Sequence, residues 1–221
     1  MMEDMAASHA DASLWDQAYA QGDSTRSWYQ TQPTMSLRML QLAGAQPNDS
    51  LIDIGGGAAP LTDALLEQGF TDLTVLDISQ TGLGYAQQRL GPAAQGVTWV
   101  RADILSWRPE RRYHIWHDRA VFHFLTTPID RQRYLDVLAD AVESSGRVVL
   151  GTFAADGPRH CSGLPVARYS PDTLAARLGR GITILATDRE EHRTPAGTHQ
   201  PFTWLLGQIA ATQPTGQPAT A

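Results

Sequence analysis

Three consecutive glycines follow an acidic residue at the end of a short apolar stretch. Asp53 lies two residues before Gly55, Gly56 and Gly57 in the segment LIDIGGGAAPL. Glycine lets a backbone turn tightly and approach a ligand closely, because it has no side chain. If a helix follows the turn, its first N–H groups are free to bind that ligand. The sequence therefore predicts a ligand-binding turn between a strand and a helix.

The spacing of this turn argues against a dinucleotide as the ligand. Counted from Gly55 and Gly57, the dinucleotide pattern G-x-G-x-x-G requires glycine or alanine at position 60, where Pro60 stands. Proline there has no N–H to offer. The spacing instead fits the pattern acid-x-G-x-G-x-G, with Asp53 as the acid and Ala59 in place of the third glycine.

This pattern resembles that of the class I S-adenosylmethionine-dependent methyltransferases, and the resemblance extends over roughly residues 15–209. It implies S-adenosylmethionine as the cofactor. It also implies that Asp53 lies near the amino group of the methionine moiety and that Gly55, Gly56 and Gly57 pass beneath the cofactor.

Two further acids follow the next two apolar stretches. Asp77 ends LTVLD, where a carboxylate can accept both ribose hydroxyls, and Ile78 would lie against the adenine. Asp103 follows VTWVRA and could accept from the adenine amino group, while Ile104 offers a backbone N–H. Asp77 alone would also suit a helix N-cap. The order of glycine turn, acid and acid is hard to obtain from packing needs alone, so it favours the cofactor site.

The candidate residues for methyl transfer follow the fourth predicted strand, in WHDRAVFHFL. The resemblance implies that residues here face the sulfonium and the acceptor, so His117 and Asp118 are the predicted catalytic residues. Arg119 and His123 are predicted to contact the substrate. Two alternatives stay open: Asp118 caps the following turn and pairs with Arg119, and His123 packs within the apolar run 122–125.

The long segment after the fifth predicted strand adds two candidates for substrate contact, His160 and Cys161. Long loops in compact domains are often functional. Cys161 is the only cysteine, so it excludes an internal disulfide and a cysteine-based metal cluster, and packing is its simpler interpretation. His192 and His199 have no suitably placed carboxylate between them, so no metal site is predicted.

Aromatic residues are concentrated near the N-terminus. Trp28 and Tyr29 follow the segment QGDSTRS, and they are predicted to cover the cofactor and the substrate respectively. The element W-x-x-x-Y followed by W-Y is similar to one that borders the cofactor pocket in thiol, halide and thiopurine methyltransferases and in elongation-factor lysine methyltransferases. Residues 13–45 are therefore predicted to form lid or cap helices.

Strand-like and helix-like segments alternate along the chain, which predicts an α/β fold. We expect a seven-stranded, mostly parallel sheet with helices on both faces and a C-terminal antiparallel hairpin. Residues 13–210 would form one domain, between disordered ends at residues 1–12 and 211–221. The strands are predicted at residues 51–55, 73–77, 97–103, 113–118, 147–153, 182–192 and 200–209, and the helices at residues 13–22, 33–44, 58–69, 79–90, 130–142 and 171–178.

Composition excludes several classes of partner. The 17 Lys and Arg against 23 Asp and Glu give a formal net charge of −6, without a basic block, which argues against nucleic acid. The sequence shows neither a transmembrane-length apolar run nor a secretory signal, so we expect a cytoplasmic protein without a membrane partner.

The leading functional hypothesis is a methyltransferase that acts on a small-molecule acceptor, because the chain has no large insertion that would recognise a macromolecule. A protein lysine methyltransferase is the first alternative, since an acidic protein suits a basic acceptor. A catalytically silent S-adenosylmethionine-binding protein is the second.

Overall fold

The computed structural model describes residues 11–20, 22 and 26–210. The predicted disordered ends lie outside the described residues, apart from Asp11 and Ala12, and the first helix begins at Ala12. The strands are β1 (Leu51–Ile54), β2 (Leu73–Asp77), β3 (Val97–Arg101), β4 (Tyr113–Arg119), β5 (Val142–Phe153), β6 (His160–Cys161), β7 (Leu164–Pro165), β8 (Ile182–Arg193) and β9 (His199–Ile209). The helices are α1 (Ala12–Ala20), α2 (Thr34–Leu42), α3 (Leu61–Glu67), α4 (Gln80–Leu90), α5 (Pro128–Ala141) and α6 (Pro171–Leu178).

One sheet contains seven of these strands in the order β3-β2-β1-β4-β5-β9-β8. Strands β1 to β5 run parallel, while β9 is antiparallel to both β5 and β8. The chain starts in the middle of the sheet, moves outward to β3, and then returns to β4 on the other side of β1. This order confirms the predicted fold class, including the C-terminal hairpin. It also places the topological switch point between β1 and β4, where open α/β sheets bind their ligands.

Helices cover both faces of the sheet, because neighbouring residues of the central strands point to opposite sides. One core joins Trp116 and Leu150 to Tyr134 of α5 and Leu174 of α6. The other core joins residues of the opposite face to the helices α2, α3 and α4, among them Leu51, Ile115, Val149, Met39, Leu65 and Leu83. Burial on both faces explains why these strands read as continuous apolar runs.

Polar caps fix where several helices begin. Ser79 Oγ accepts the N–H of Gly82 at the start of α4, and Thr127 Oγ1 accepts that of Asp130 at the start of α5. Ser170 and Thr173 form a reciprocal capping box at α6. The cap at Ser79 starts α4 directly after the end of β2, so Asp77 lies at the carboxyl edge of the sheet.

Most element boundaries shift slightly from the prediction, and three differences stand out. Helix α3 begins at Leu61 rather than Ala58, because Ala59 donates to Gly56 in a turn first. Strand β5 begins at Val142, five residues early, where it pairs with Tyr113 at a register shift. The segment predicted as a loop after β5 contains the two-residue strands β6 and β7. Such short pairings leave no apolar periodicity for a sequence to show.

Candidate functional site

A cleft opens at the carboxyl ends of β1, β2 and β4, beneath the segment that includes α1. Twelve of the predicted site residues line it: Trp28, Tyr29, Asp53, Gly55, Gly56, Asp77, Ile78, Asp103, Ile104, His117, Arg119 and Cys161. Four predicted residues are not among those that line it: Gly57, Asp118, His123 and His160. The structure thus brings together elements that are far apart in the sequence, at the edge where parallel strands end.

Each glycine of the turn has a steric reason to be glycine. Gly55 has φ +67°, and a Cβ there would lie 2.1 Å from a methyl group of Val121. A Cβ on Gly56 would lie 2.6 Å from Asp53 Oδ2. Gly57 has φ +41° and is covered by the Tyr19 hydroxyl, 2.1 Å from where its Cβ would stand. Gly57 therefore makes room for the segment above the turn, which explains its absence from the cleft lining.

Asp77 is a buried carboxylate at the end of β2, only 6% exposed. Its Oδ1 accepts the N–H of Ser79 at 2.7 Å. Burial raises the pKa of Asp77 to about 7, against the lowering effect of the Ser79 N–H, and the neighbouring charges of Asp53 and Asp16 raise it further. A carboxylate in this environment gains strongly from additional donors, because little water reaches it.

Asp103 lies at the next strand end, adjacent to Asp77. The N–H of Ala102 donates to the backbone carbonyl of Asp77 at 3.0 Å, which joins the two strand ends. Asp103 Oδ1 accepts the N–H of Leu105 at 2.9 Å, and Ile104 is buried behind it. The two acids and the apolar side chain of Ile78 thus occupy one end of the cleft.

His117, Asp53 and Ser36 form a buried hydrogen-bonded chain beside the glycine turn. His117 Nδ1 lies 2.7 Å from Asp53 Oδ1, and His117 Nε2 lies 3.0 Å from Ser36 Oγ. If the imidazole is neutral and donates through Nδ1 to the carboxylate, its Nε2 accepts a hydrogen bond from the Ser36 hydroxyl. Both ring nitrogens are therefore engaged, and His117 fixes the orientation of Asp53.

Ser36 was not among the residues predicted from the sequence. It shares the buried side of α2 with Met39 and Leu40, at i, i+3 and i+4. A hydroxyl residue on the apolar face of an amphipathic helix needs a buried polar partner, and that pattern was the available signal.

Asp118 is not at the cleft, contrary to its predicted catalytic position. Its Oδ1 accepts the N–H of Val121 at 2.8 Å, and its Oδ2 accepts the N–H of Phe122 and the hydroxyl of Tyr134. Because alternate residues of a strand face opposite sides, His117 and Arg119 face the cleft while Asp118 faces the α5 side. Burial raises the pKa of Asp118 to about 6. The carboxylate caps the turn after β4, as in the alternative interpretation, although it does not pair with Arg119.

The structure also places His123 and His160 away from the cleft. His123 is fully buried between the rings of Phe124 and Phe153, with centroids 4.5 and 4.6 Å away. Burial lowers the pKa of His123 to about 3, so the imidazole is neutral. His160 is exposed on β6. Neither histidine lies at the cleft, since one is packed in the core and the other is exposed, so the structure lends no support to their predicted substrate contacts.

Helix α1 is attached above the cleft by both polar and aromatic contacts. Asp16 Oδ1 accepts from the hydroxyl of Ser79 at 2.6 Å and from the N–H of Thr81 at 2.9 Å. Trp15 packs edge-on against Phe124 and Trp28, at centroid distances of 5.1 and 5.9 Å. The residues of α1 and Trp28 therefore form a roof over the cleft, which we call the lid (residues 12–20 and 26–30).

Substitutions of two glycines of α4, Gly82 and Gly84, test whether the lid packs against this helix. A Cβ on Gly82 would lie 2.7 Å from the Tyr19 ring, whereas one on Gly84 has no neighbour within 4 Å. We expect Gly84→Ala to raise the free energy of unfolding by about 0.5–1 kcal/mol, because alanine favours a helix interior over glycine. Gly82→Ala should lose this gain and lower stability instead, as measured by urea unfolding. Equal gains for both variants would show that Tyr19 does not pack against α4.

Two classes of site find no support in the described part of the chain. No group of three His, Cys, Asp or Glu residues within residues 26–210 or the short N-terminal stretches is arranged to hold a metal ion. None of the described helices is long and apolar enough to span a membrane.

Comparison with solved structures shows which proteins share this fold. The chain superposes on 1,6-didemethyltoxoflavin-N1-methyltransferase of Burkholderia thailandensis, solved with its substrate and S-adenosylhomocysteine, with a TM-score of 0.69 and 19% identity, covering 95% of this chain and 93% of that one. The glycopeptide N-methyltransferase MtfA, solved with S-adenosylmethionine, gives a TM-score of 0.64 and 15% identity, covering 84% and 96%. The [4+2]-cyclase SpnF gives a TM-score of 0.66 and 13% identity, covering 90% of this chain and 92% of that one.

The sequence itself is similar to one family over part of its length. No curated protein matches the chain. Residues 51–146, which run from β1 into β5 and include the glycine turn, match the family model described as a methyltransferase domain. Over these residues the chain is similar to that family, and it shares its fold with the solved methyltransferases, in agreement with the resemblance seen in the sequence.

Proposed function

We propose that this protein transfers the methyl group of S-adenosylmethionine to a small-molecule acceptor bound under the lid. The observation that carries the proposal is the convergence of Asp53, Asp77 and Asp103 with the glycine turn in one roofed cleft. Each acid lies at or just beyond the carboxyl end of a different strand, in the order that the elongated cofactor requires.

The adenosine would occupy the end of the cleft at β2 and β3. Asp77 would accept both ribose hydroxyls, which replaces the missing solvation of its buried carboxylate. Asp103 would accept from the adenine amino group, with Ile78 and Ile104 against the ring and the N–H of Ile104 as a further donor. These roles need no movement of the strand ends, because all four residues already line the cleft.

The methionine moiety would lie over β1, next to Asp53. Asp53, His117 and Ser36 all line the cleft, where His117 Nδ1 is hydrogen-bonded to Asp53 Oδ1 and His117 Nε2 to Ser36 Oγ. His117 is therefore a positioning residue in this proposal rather than the proton acceptor. The bound cofactor supplies an activated methyl group, and the protein aligns the acceptor with it and excludes water.

The walls of the remaining space favour a small acceptor. Aromatic residues of the lid and of the segment after β4, among them Trp15, Trp28, Tyr29 and Phe124, close over the cleft. An enclosed apolar space suits a compact ligand that the lid can cover. The small-molecule N-methyltransferases that share the fold agree with this choice. A lysine side chain of a protein would have to enter the same enclosed space.

Cofactor binding should depend on pH through Asp77. An ionised carboxylate accepts the ribose hydroxyls best, yet the free protein holds this proton up to about pH 7. Binding must then release the proton below pH 7, so we expect affinity for S-adenosylhomocysteine to fall toward tenfold per pH unit below that point. Titration calorimetry at pH 6 and pH 8 measures this, with Asp77→Asn as the control that should flatten the difference. An equally pH-dependent Asp77→Asn variant would assign the titration to another group.

Methyl-labelled S-adenosylmethionine and a cell extract from the source provide the direct test of the function. Labelled products are separated into a small-molecule fraction and a protein fraction. Label in small molecules supports the proposal. Label in a protein band would replace it by the lysine methyltransferase hypothesis. Cofactor binding without label in either fraction contradicts the proposed transfer and favours the alternative of a catalytically silent binding protein. The fold also occurs in proteins named for other reactions, such as the [4+2]-cyclase SpnF.

A further inference from the structure

Arg119 has hydrogen-bond donors with nothing to bind. Its Nη1 donates to the backbone carbonyl of Trp28 in the lid at 3.2 Å. Its Nε and Nη2 are shielded from solvent and have no hydrogen-bond partner among the described residues. The side chain is only 11% exposed, and Arg119 lines the cleft. Buried donors of a charged group are costly to leave unpaired, so this arrangement points to a missing acceptor.

The nearest carboxylate does not supply that acceptor. Glu190 Oε2 lies 3.9 Å from Arg119 Nε, beyond hydrogen-bond distance. Both oxygens of Glu190 are already used, since Oε2 accepts from the indole N–H of Trp204 at 2.9 Å and Oε1 from Gln30 Nε2 at 2.8 Å. Glu190 therefore balances part of the charge of Arg119 and leaves its donors unfilled.

Asp53 is another carboxylate whose charge acts on Arg119, but it makes no hydrogen bond to Nε or Nη2. The remaining titratable neighbours carry no charge. Burial raises the pKa of the Cys161 thiol and lowers those of His123 and His192, so all three are neutral at pH 7. The guanidinium also lies over the ring of Phe202, 4.7 Å from its centroid, which fixes its plane. Arg119 is thus a rigid, poorly solvated cation at the wall of the cleft.

We propose that Arg119 binds an anionic oxygen group of the carboxylate class on the acceptor, an inference that rests on the proposed function. Nε and Nη2 form one edge of the guanidinium fork, and two parallel N–H donors there match the two oxygens of a carboxylate. The acceptor would therefore combine an acidic group with an apolar body that fits the aromatic walls.

The position of Arg119 favours the acceptor over the cofactor as the source of this anion. Arg119 pairs with Gly151 of β5, and its side chain extends over Phe202 of β9. This is the side of β4 that faces away from Asp77 and Asp103, where the adenosine would lie. The carboxylate of the methionine moiety is the other possible source, and the test below separates the two.

The test measures carboxylate binding to the protein saturated with S-adenosylhomocysteine. The probes are acetate, benzoate and 3-phenylpropionate, each compared with its neutral amide by titration calorimetry. We expect at least one carboxylate to bind where its amide does not. Arg119→Gln should weaken that binding by about tenfold or more, and Arg119→Lys should weaken it less, because lysine keeps the charge without the fork. Affinity for S-adenosylhomocysteine should stay within about threefold in both variants, which also shows that they are folded.

Three results would overturn the inference. The first is the failure of all three carboxylates to bind, and the second is equal binding to wild type and Arg119→Gln. The third is a loss of S-adenosylhomocysteine affinity in Arg119→Gln without a loss for 5′-methylthioadenosine, which lacks the amino-acid moiety; that result assigns Arg119 to the cofactor carboxylate. Failure of the wild type to bind S-adenosylhomocysteine at all would instead overturn the proposed function, so the two failures are distinguishable.

Discussion

Asp77→Asn is expected to weaken the binding of S-adenosylmethionine by about 10- to 100-fold. The asparagine keeps the size of the side chain but loses the charge with which Asp77 would accept two ribose hydroxyls. Hydrogen bonds to a charged group contribute about 1.5–3 kcal/mol, and each 1.4 kcal/mol corresponds to about a factor of ten in affinity. Calorimetric titration at pH 8, where the wild-type carboxylate is ionised, measures the difference.

A matched control for this variant lies at the opposite end of the same strand. Asp72 directly precedes β2 and pairs on the surface with Arg111, 2.6 Å away. Asp72→Asn should leave cofactor affinity unchanged. If both variants bind S-adenosylmethionine as tightly as the wild type, the ribose does not lie at Asp77.

Asp77→Asn should stabilise the protein without cofactor at alkaline pH. The raised pKa means that the folded state binds the Asp77 proton more tightly than the unfolded chain does. Protonation of Asp77 therefore stabilises the folded state at low pH, and this stabilisation is lost as the pH rises toward and through about 7. Asparagine removes the cost of the buried charge. Thermal unfolding at pH 8 should show a higher Tm for Asp77→Asn than for the wild type, a loss of function together with a gain of stability.

Asp118→Ala is expected to lower the free energy of unfolding by about 3 kcal/mol. The substitution leaves the Tyr134 hydroxyl and the N–H groups of Val121 and Phe122 without their shared acceptor in a buried site. Urea unfolding measures the loss. Asp136→Ala, an exposed residue of α5, is the control and should change stability by less than about 0.5 kcal/mol.

Cofactor binding and turnover distinguish this structural role of Asp118 from a catalytic one. At a temperature where Asp118→Ala is folded, its affinity for S-adenosylmethionine should match that of the wild type within about threefold. A variant of unchanged stability that binds cofactor but turns over far more slowly would restore the catalytic role predicted from the sequence.

The end of the cleft that holds the glycine turn, Asp77 and Asp103 could be predicted because its signals are local. The glycine turn follows β1 directly, Asp77 ends β2 and Asp103 comes shortly after β3, and parallel strands bring such ends to one edge. Strands β1 and β2 were visible because all their residues are buried and most of them are apolar. The prediction needed only the order of elements, which the chain displays directly.

The acceptor end could be predicted only in part, because it depends on which face each side chain takes. His117 and Asp118 are neighbours on one strand, so they could not both face the cleft, and alternation alone excluded one of them. The exclusion of Asp118 in particular follows from its contact with Tyr134, which is 16 residues away in the sequence. The role of Ser36 is similarly tertiary, since its partner His117 is 81 residues away.

The two hydrogen bonds of Asp16 also bear on the rate at which ligands exchange. They join α1 to the first turn of α4, immediately after the strand end that carries Asp77. A bound cofactor could leave past α1 only when these bonds break and Trp15 withdraws from Phe124. The rate at which the cofactor dissociates would then depend on how often this short helix opens.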